Sequence, residues 1–422
     1  MRPPFGGGVP GNRWDLADDA APRRTVSVIV AHYDQQQQLD RTLAALARQS
    51  YPAELVEIVV ADDGSPREPV VPAGVTLVRQ DDLGFRLAAA RNLGVRHSGG
   101  ELLCFLDSDT APEPDYLERM TRLPAAVPET VTVGRRRHAD FAAADPHEPV
   151  EAAAPRHPLP EPTWLADEYR RSRDLLDADD RSYRHVIGAV IGCSRWFFDE
   201  VGGFDESFQA YGGEDWEWAH RAWSAGAVFA HVPDAVAWHD GPEWAGRDLV
   251  EAQRRKNVET LRLSAAIPVD GSRPHALWAG SSQATVVLAE ASGPAQAFVC
   301  VDSVLAALPH ARVVVPPHLL DVFAADPRVV ADAPKRGVVV RLASAVRVVD
   351  AGALRVAVGE VGSGDLATVT FGKDVVVESV RALHRRRRWG GDAGWRDEER
   401  PDDGLIPVPD EPDLEAYLGG WG

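Results

Sequence analysis

Phe105-Leu106-Asp107-Ser108-Asp109 ends the apolar run Leu102-Leu103-Cys104-Phe105-Leu106, and how it is read decides the fold. An uninterrupted apolar run of this length, rich in branched and aromatic side chains, predicts a strand buried on both faces, as in a parallel sheet covered by helices. Two carboxylates one residue apart follow where that strand emerges, so Asp107 and Asp109 point the same way. In an open α/β sheet this end of the strands forms the binding crevice, and a pair of hard oxygen ligands there suits a divalent ion carrying a phosphorylated substrate. The same residues also suit a solvated turn leading into a helix predicted over Pro114 to Arg122.

Outward from this stretch the pattern is βαβ. Thr25 to Ala31 is a β-branched run, Leu39, Leu43 and Leu46 recur at helical spacing, and Glu57 to Ala61 and Val75 to Val78 are apolar again. Leu87 to Val95 supplies a second helix and Val131 to Gly134 a further strand, which together predict an α/β fold built on a mostly parallel sheet flanked by helices. His138 to Pro162 lacks periodicity and reads as an excursion over the surface. Beyond it, residues 164 to 177, Arg195 to Val201 and Glu214 to Ala225 read as helices. Val228 to His231 and Ala235 to His239 read as short strands, and Arg247 to Leu263 as a charged helix.

These patterns divide the chain into a flexible arm at 1–24, a first α/β domain at 25–267 and a linker at 268–280. A smaller C-terminal α/β domain at 281–390 and an acidic tail at 391–422 complete it. The C-terminal domain repeats the first in faded form: Thr285 to Leu288, a helix around Val299 to Leu308, Arg312 to Val315 and Val338 to Leu342 echo its order. Pro316-Pro317-His318 stands where the first has Asp62-Asp63-Gly64-Ser65, and no paired carboxylates follow a strand, so the expectation is a non-catalytic, degenerate repeat.

Composition narrows the function classes. A net charge of −19 disfavours nucleic acid and anionic membranes as general partners. No apolar run approaches the ~20 residues of a spanning helix, and Cys104, Cys193 and Cys300 form no metal-type or disulfide-type pair, so the expectation is a cytoplasmic chain without a transmembrane segment.

Four clusters carry the chemistry. Asp62-Asp63-Gly64-Ser65 follows the second strand into the same crevice, where a carboxylate can accept from a base N–H or a ribose hydroxyl. Arg91, on the helix after Leu83-Gly84-Phe85, offers a planar fork to phosphate. Gly212-Gly213-Glu214-Asp215-Trp216-Glu217 places acids at a helix N-terminus, where the dipole favours their ionised form. His239 stands at the end of a predicted strand. Each cluster also has a bland reading, respectively a turn, a surface ion pair, helix-capping acids and a structural histidine.

In that order, Val26 to Asp34, Asp62-Asp63-Gly64-Ser65, Leu87 to Gly94, Leu106-Asp107-Ser108-Asp109, Gly202-Gly203-Phe204-Asp205-Glu206 and Gly213-Glu214-Asp215 resemble the family 2 glycosyltransferases of GT-A fold. The Gly-Gly-Glu-Asp stretch and the later His resemble the galactosyltransferase-like branch. The resemblance covers about residues 25 to 265. Ala31-His32-Tyr33-Asp34 and Gly192-Cys193-Ser194 depart from the family pattern.

The resemblance implies transfer of a hexose, with inversion, from a nucleotide-diphosphate sugar (a UDP-sugar favoured) to a glycan, lipid-linked or small-molecule hydroxyl acceptor, as in polysaccharide synthesis. It implies Mn²⁺ or Mg²⁺ as cofactor, with Asp109 and His239 as metal ligands and Asp107 in the ribose or metal shell. Asp62 would hold the base, with Asp34, Asp63, Arg91 and Ser108 as further donor-binding residues. Asp215 would be the catalytic base, and Gly213, Glu214 and Trp216 would meet the acceptor. Trp218, Trp223, Trp238 and Trp244 surround this region. Two other readings are a non-catalytic sugar- or partner-binding protein on the same fold and a sugar-phosphate nucleotidyltransferase. The latter resembles a Gly-rich basic loop after the first strand, where this chain has His32-Tyr33-Asp34-Gln35.

Overall fold

The computed structural model describes residues 2–18, 20–209, 212–241, 249–364, 366–391 and 394–419. Trp244, one of the tryptophans considered above, lies outside them. The chain divides into two compact units, Met1–Leu263 and Ser264–Gly422.

The first unit is organised around β1 (Val26–His32), β2 (Val56–Asp62), β3 (Val75–Arg79) and β4 (Leu102–Asp107), followed by β5 (Thr110–Pro112), β6 (Thr130–Ala139), β7 (Pro158–Leu159), β8 (Val190–Ser194) and β9 (Val228–Asp240). Among the described residues the sheet order is β3-β2-β1-β4-β8-β6-β9-β5, with β7 beside β6. The β1, β2, β3 and β4 pairings are parallel, and β8 runs antiparallel to β4. The helices are α1 (Gln36–Leu46), α2 (Leu87–Arg96), α3 (Tyr116–Ala126), α4 (Val150–Ala153), α5 (Thr163–Arg171), α6 (Arg195–Val201), α7 (Glu214–Ser224) and α8 (Leu249–Ala266). β1 is buried along its whole length, as a strand covered on both faces must be. This is the α/β architecture expected from the apolar runs.

Four details differ from the linear pattern. The excursion expected from His138 onward begins later, because β6 continues through His138 and Ala139 against β9. The two short strands expected near Val228 and His239 are one strand, whose register slips between Gly134 and Arg135 on the partner side. A bulge of this kind breaks an alternating pattern without ending the ladder. The helix expected over 164–177 ends at Arg171, because Arg173, Asp174 and Leu175 adopt left-handed φ of 52°, 57° and 66°.

The fourth detail concerns the expected arm. Val9 joins Ala126, Val127 and Val228 in a small apolar cluster. The buried Asn12 amide pairs with the backbone of β9, accepting from Phe229 N at 2.8 Å and donating to Phe229 O at 2.9 Å and Leu175 O at 2.6 Å. One side chain thus stands in for a neighbouring strand along an otherwise open sheet edge. The Asn12→Ala variant leaves three buried backbone groups unpaired and is expected to cost about 2 kcal/mol, a fall of roughly 4–8 °C in Tm by calorimetry. An unchanged Tm would show that the arm does not hold this edge.

The second unit contains β10 (Ala284–Leu288), β11 (Arg312–Val314), β12 (Val329–Val330), β13 (Val338–Leu342), β14 (Val346–Val348), β15 (Leu366–Phe371), β16 (Val375–Ser379), β17 (Arg396–Arg400) and β18 (Leu405–Pro407). Its helices are α9 (Pro294–Ala307), α10 (Ala351–Ser363), α11 (Val380–Trp389) and α12 (Leu414–Leu418). Among the described residues its sheet order is β12-β11-β10-β13-β16-β15-β17, and β14 pairs with β18. The stretch expected as an acidic tail therefore supplies two strands and a helix. Arg-Glu pairs such as Arg400 with Glu398 at 2.8 Å sit within it, which is why its charge does not keep it extended. Among the described residues no helix is long and apolar enough to cross a membrane. Cys104, Cys193 and Cys300 are buried free thiols.

Candidate active site

At the C-terminal ends of β1 and β4 lies a cavity of about 650 Å³. Asp63, Asp107, Ser108, Asp109 and His239 line it, together with Tyr33, Phe85, Arg136, His138 and Asp240.

Asp109 and His239 come together because β5 is paired antiparallel to β9, with Thr110 opposite His239. The Asp109 Oδ2 to His239 Nε2 distance is 3.5 Å, and both side chains are about one-fifth exposed. Thr110 Oγ1 donates to the other Asp109 oxygen at 3.2 Å. Burial opposes charge on both groups, but each stabilises the ion of the other. The Asp109 carboxyl is therefore held below its ordinary range and the His239 imidazole above its own. A carboxylate oxygen and an imidazole nitrogen at this separation are a suitable donor set for a divalent ion whose remaining ligands are phosphate oxygens and water. Among the described residues no group of three or more His, Cys, Asp or Glu side chains is placed to hold a metal, so a cation here would depend on its substrate for ligands.

Asp62, the last residue of β2, and Asp63, which follows it, face different ways. Asp62 is fully buried and satisfied inside the protein: its oxygens meet His32 Nδ1 at 2.9 Å, Arg79 Nε at 2.9 Å and Ser65 N at 3.0 Å, and the Ser65 hydroxyl. Burial works against its ionisation, but the Ser65, His32 and Arg79 donors hold it below its ordinary range. Asp63, by contrast, lines the cavity while accepting from Arg86 N at 2.7 Å and Gln80 Nε2 at 2.5 Å, and burial raises its carboxyl. Asp34 is exposed, has a left-handed φ of 48°, and donates its N–H to Ser65 Oγ at 2.8 Å. It does not line the cavity, whereas its neighbour Tyr33 does. Ser108 is buried, with its hydroxyl on Gln35 Oε1 at 3.1 Å.

Arg91 connects this cavity to the Gly-Gly-Glu-Asp segment. Its guanidinium is 1% exposed, with Nη2 on Asp107 Oδ1 at 2.8 Å and Nη1 on Glu214 Oε1 at 3.0 Å. A Cβ at Gly188 would come within 2.7 Å of Nη1, so only glycine leaves room for the arginine there. Gly213 precedes α7 at φ 94°, a left-handed conformation natural to glycine, and a Cβ there would press on Leu263 and Phe208.

The turn at Gly213 sets Glu214 and Asp215 on the first turn of α7. Asp215 accepts from Gly188 N and from Trp216 N, each at 2.8 Å, which fixes its carboxylate by two backbone donors. Burial raises its carboxyl all the same. The second oxygen of Glu214 is buried without a hydrogen-bond partner, and burial together with the Asp215 charge pushes Glu214 up to about 7. One guanidinium thus faces several carboxylates, an arrangement suited to holding or taking up a proton.

Gly213, Glu214, Asp215 and Trp216 do not line the cavity described above; Arg91 links Glu214 to it through Asp107. The Trp216 ring carries Lys256 Nζ at 4.6 Å from its centroid, so a cation occupies one ring face. Trp218, Trp223 and Trp238 are core residues. Arg136 and His138, in the cavity wall, were missed in the sequence. Their two-residue spacing on one strand face was the available signal, obscured because the strand was expected to end at Gly134 and the excursion to begin at His138.

Residues 27–201 match the family model described as Glycosyl transferase family 2, and residues 178–237 match the model described as N-terminal domain of galactosyltransferase. Validoxylamine A glucosyltransferase of Streptomyces hygroscopicus subsp. limoneus is 33% identical over 270 residues, 57% of this chain and 55% of that protein. Chondroitin synthase of Escherichia coli is 27% identical over 286 residues, covering 61% and 41%. Hyaluronan synthase of Pasteurella multocida is 28% identical over 242 residues, covering 51% and 24%. The chain thus spans from about a quarter to just over half the length of these three relatives. Among solved structures, the mannosyltransferase PcManGT from Pyrobaculum calidifontis, in complex with GDP-Man and Mn2+, overlaps with 20% identity and a TM-score of 0.42 over 62% of this chain and 69% of that one.

Proposed function

Since the first unit carries the pattern of glycosyl transferase family 2, we propose that the protein is a divalent-metal-dependent, inverting glycosyltransferase that moves a hexose from a nucleotide-diphosphate sugar, preferably a UDP-sugar, to a hydroxyl acceptor. The observation that carries this reading is the Asp109–His239 pair, 3.5 Å apart on the wall of a cavity that also presents Asp63.

In this reading Asp109 and His239 hold Mn²⁺ or Mg²⁺, which supplies neutralising charge for the departing diphosphate. Asp63 and Tyr33 take the nucleoside, the carboxylate accepting from it and the exposed ring offering a stacking face. Asp62, turned inward, positions that loop. Arg91 fixes Asp107 and Glu214 in one orientation, so that the donor and acceptor sides share one rigid link. Asp215 takes the proton of the acceptor hydroxyl, which attacks the anomeric carbon opposite the leaving group and inverts it. Gly213, Glu214 and Trp216 border the acceptor. The similarity to a validoxylamine A glucosyltransferase, a chondroitin synthase and a hyaluronan synthase supports a small-molecule or glycan hydroxyl as acceptor.

The test is incubation with UDP-, GDP- and dTDP-hexoses, Mn²⁺ and a panel of hydroxyl acceptors. Acceptor-dependent release of nucleoside diphosphate is expected, abolished by EDTA and restored by Mn²⁺. Release of inorganic pyrophosphate would instead mark a nucleotidyltransferase. Binding of nucleotide sugar with no turnover on any acceptor would mark a sugar-binding protein.

A further inference from the structure

The two sheets repeat the same ladder order and register, and that register gives the donor-side positions at the strand ends of the first unit a counterpart in the second. In the first sheet Val28 lies opposite Ile58 and Cys104; in the second Val286 lies opposite Val313 and Val340, again through parallel ladders. β2 and β11 each carry a further parallel strand outside, β3 and β12, and β4 and β13 each carry an antiparallel one inside, β8 and β16. Counted from Val30 and Leu288, α1 and α9 begin after the same interval, at Gln36 and Pro294.

From these anchors Leu106 corresponds to Leu342, so Asp107-Ser108-Asp109 becomes Ala343-Ser344-Ala345, and Asp62-Asp63 becomes Pro317-His318. The last strand confirms the count. β5 pairs antiparallel with β9, Thr110 opposite His239, and Asp240 N donates to Asp109 O. β14 pairs antiparallel with β18, Val346 opposite Pro407, and Val408 N donates to Ala345 O. The counterpart of His239 is therefore Pro407.

Every side chain to which the first unit owes a cation site has been replaced by alanine or proline, which offer no donor atom. The retained serine, Ser344, gives its hydroxyl to Asp374 Oδ1 at 2.8 Å. Within the same unit the start of α9 is tied to the segment that follows β18. At the start of α9 the buried Gln296 accepts from Ser292 N at 2.8 Å and donates to Val408 O at 2.8 Å, while Ser292 Oγ donates to Asp410 O at 3.2 Å.

We infer that the second unit is a duplicate of the donor-binding sheet whose site has been erased, so that among the described residues the nucleotide-sugar site and the cation site both lie in the first unit. The first-unit site in this inference rests on the transferase reading above.

Equilibrium dialysis of the full chain with UDP, GDP and dTDP, each with Mn²⁺, tests it. The expected stoichiometry is one nucleotide and one Mn²⁺ per chain. Binding should be lost at least ~100-fold in Asp109→Asn/His239→Ala and unchanged in Ser344→Ala and His318→Ala, with circular dichroism confirming that each variant is folded. Two nucleotides per chain, one of them retained in the double variant, would overturn the inference and leave the transferase reading intact; one nucleotide per chain whose Mn²⁺-dependent binding survives the double variant would overturn the Asp109–His239 cation site and with it both. No binding of any of the three nucleotides would overturn both.

Discussion

The Asp109→Ala variant is expected to transfer sugar at least about a thousandfold more slowly than the unaltered chain at saturating donor, a change of about 4 kcal/mol in activation free energy. The reason is the coupling between its two neighbours. Asp109 is one of two side chains placed to share a cation, and it is also what keeps the His239 imidazole above its ordinary pKa, against the pull of burial. Without the carboxylate, the remaining protein ligand is a single imidazole on Gly241 O at 3.3 Å, and a lone neutral ligand holds Mn²⁺ or Mg²⁺ weakly. The loss should therefore appear in the Mn²⁺ concentration needed for half-maximal rate as well as in kcat. Without the carboxylate, burial favours the neutral form of His239, so no uncompensated charge is left and Tm without metal should move little. A variant with the same Mn²⁺ dependence as the unaltered chain would remove Asp109 from the cation site.

The Asp215→Asn variant should lose about 10²- to 10⁴-fold in kcat while retaining nucleoside diphosphate affinity within about twofold, because the residue does not line the cavity that presents Asp63 and Asp109. The substitution is close to isosteric but not silent. Asp215 accepts backbone N–H groups on both oxygens, from Gly188 and Trp216, and an asparagine can accept only on one. One N–H is left facing an NH₂, which costs about 1–2 kcal/mol of stability, a cost that calorimetry separates from the catalytic loss.

The pH profile gives an independent check. Burial raises the Asp215 carboxyl, so the acid limb of kcat/KM should lie above the ordinary carboxylate range. The rate should climb as pH rises through that limb, since only the ionised form takes a proton. The residual rate of the asparagine variant should be flat across the same interval. A variant that retains both the rate and the limb would move the base elsewhere, with Glu214, pushed up to about 7 by burial and by Asp215, as the neighbour to examine.

Much of the first unit was legible because its strands are long, apolar and separated by amphipathic helices, so that periodicity alone marks them. Legibility failed where side-chain pairing replaced periodicity. Asn12 lies in a stretch of Gly, Pro and charged residues that has no pattern, yet its amide is buried against β9. Arg136 and His138 belong to a strand that continues past Gly134 opposite a bulge in β9, and its run of charged residues, Arg135-Arg136-Arg137-His138, hides the apolar pattern by which strands are recognised. Asp62 and Asp63 are adjacent in the chain and point to opposite sides of the strand, so their similarity in sequence conceals one inward, fully satisfied carboxylate and one in the cavity.

The amino-acid sequence by itself determined the α/β class, the order of the strands along the chain, the carboxylates at the end of β4 and the weakening of the same pattern after residue 281, because these depend on residue type and local spacing. Tertiary structure alone decided which distant groups meet. The antiparallel ladder between β5 and β9 carries His239 to Asp109 across 130 positions, and Arg91 joins Asp107 to Glu214. Ladder register likewise equates Pro407 with His239. The physical reason is that strand pairing and buried ion pairs are long-range choices among many competing partners, settled by which arrangement satisfies every buried donor, acceptor and charge at once.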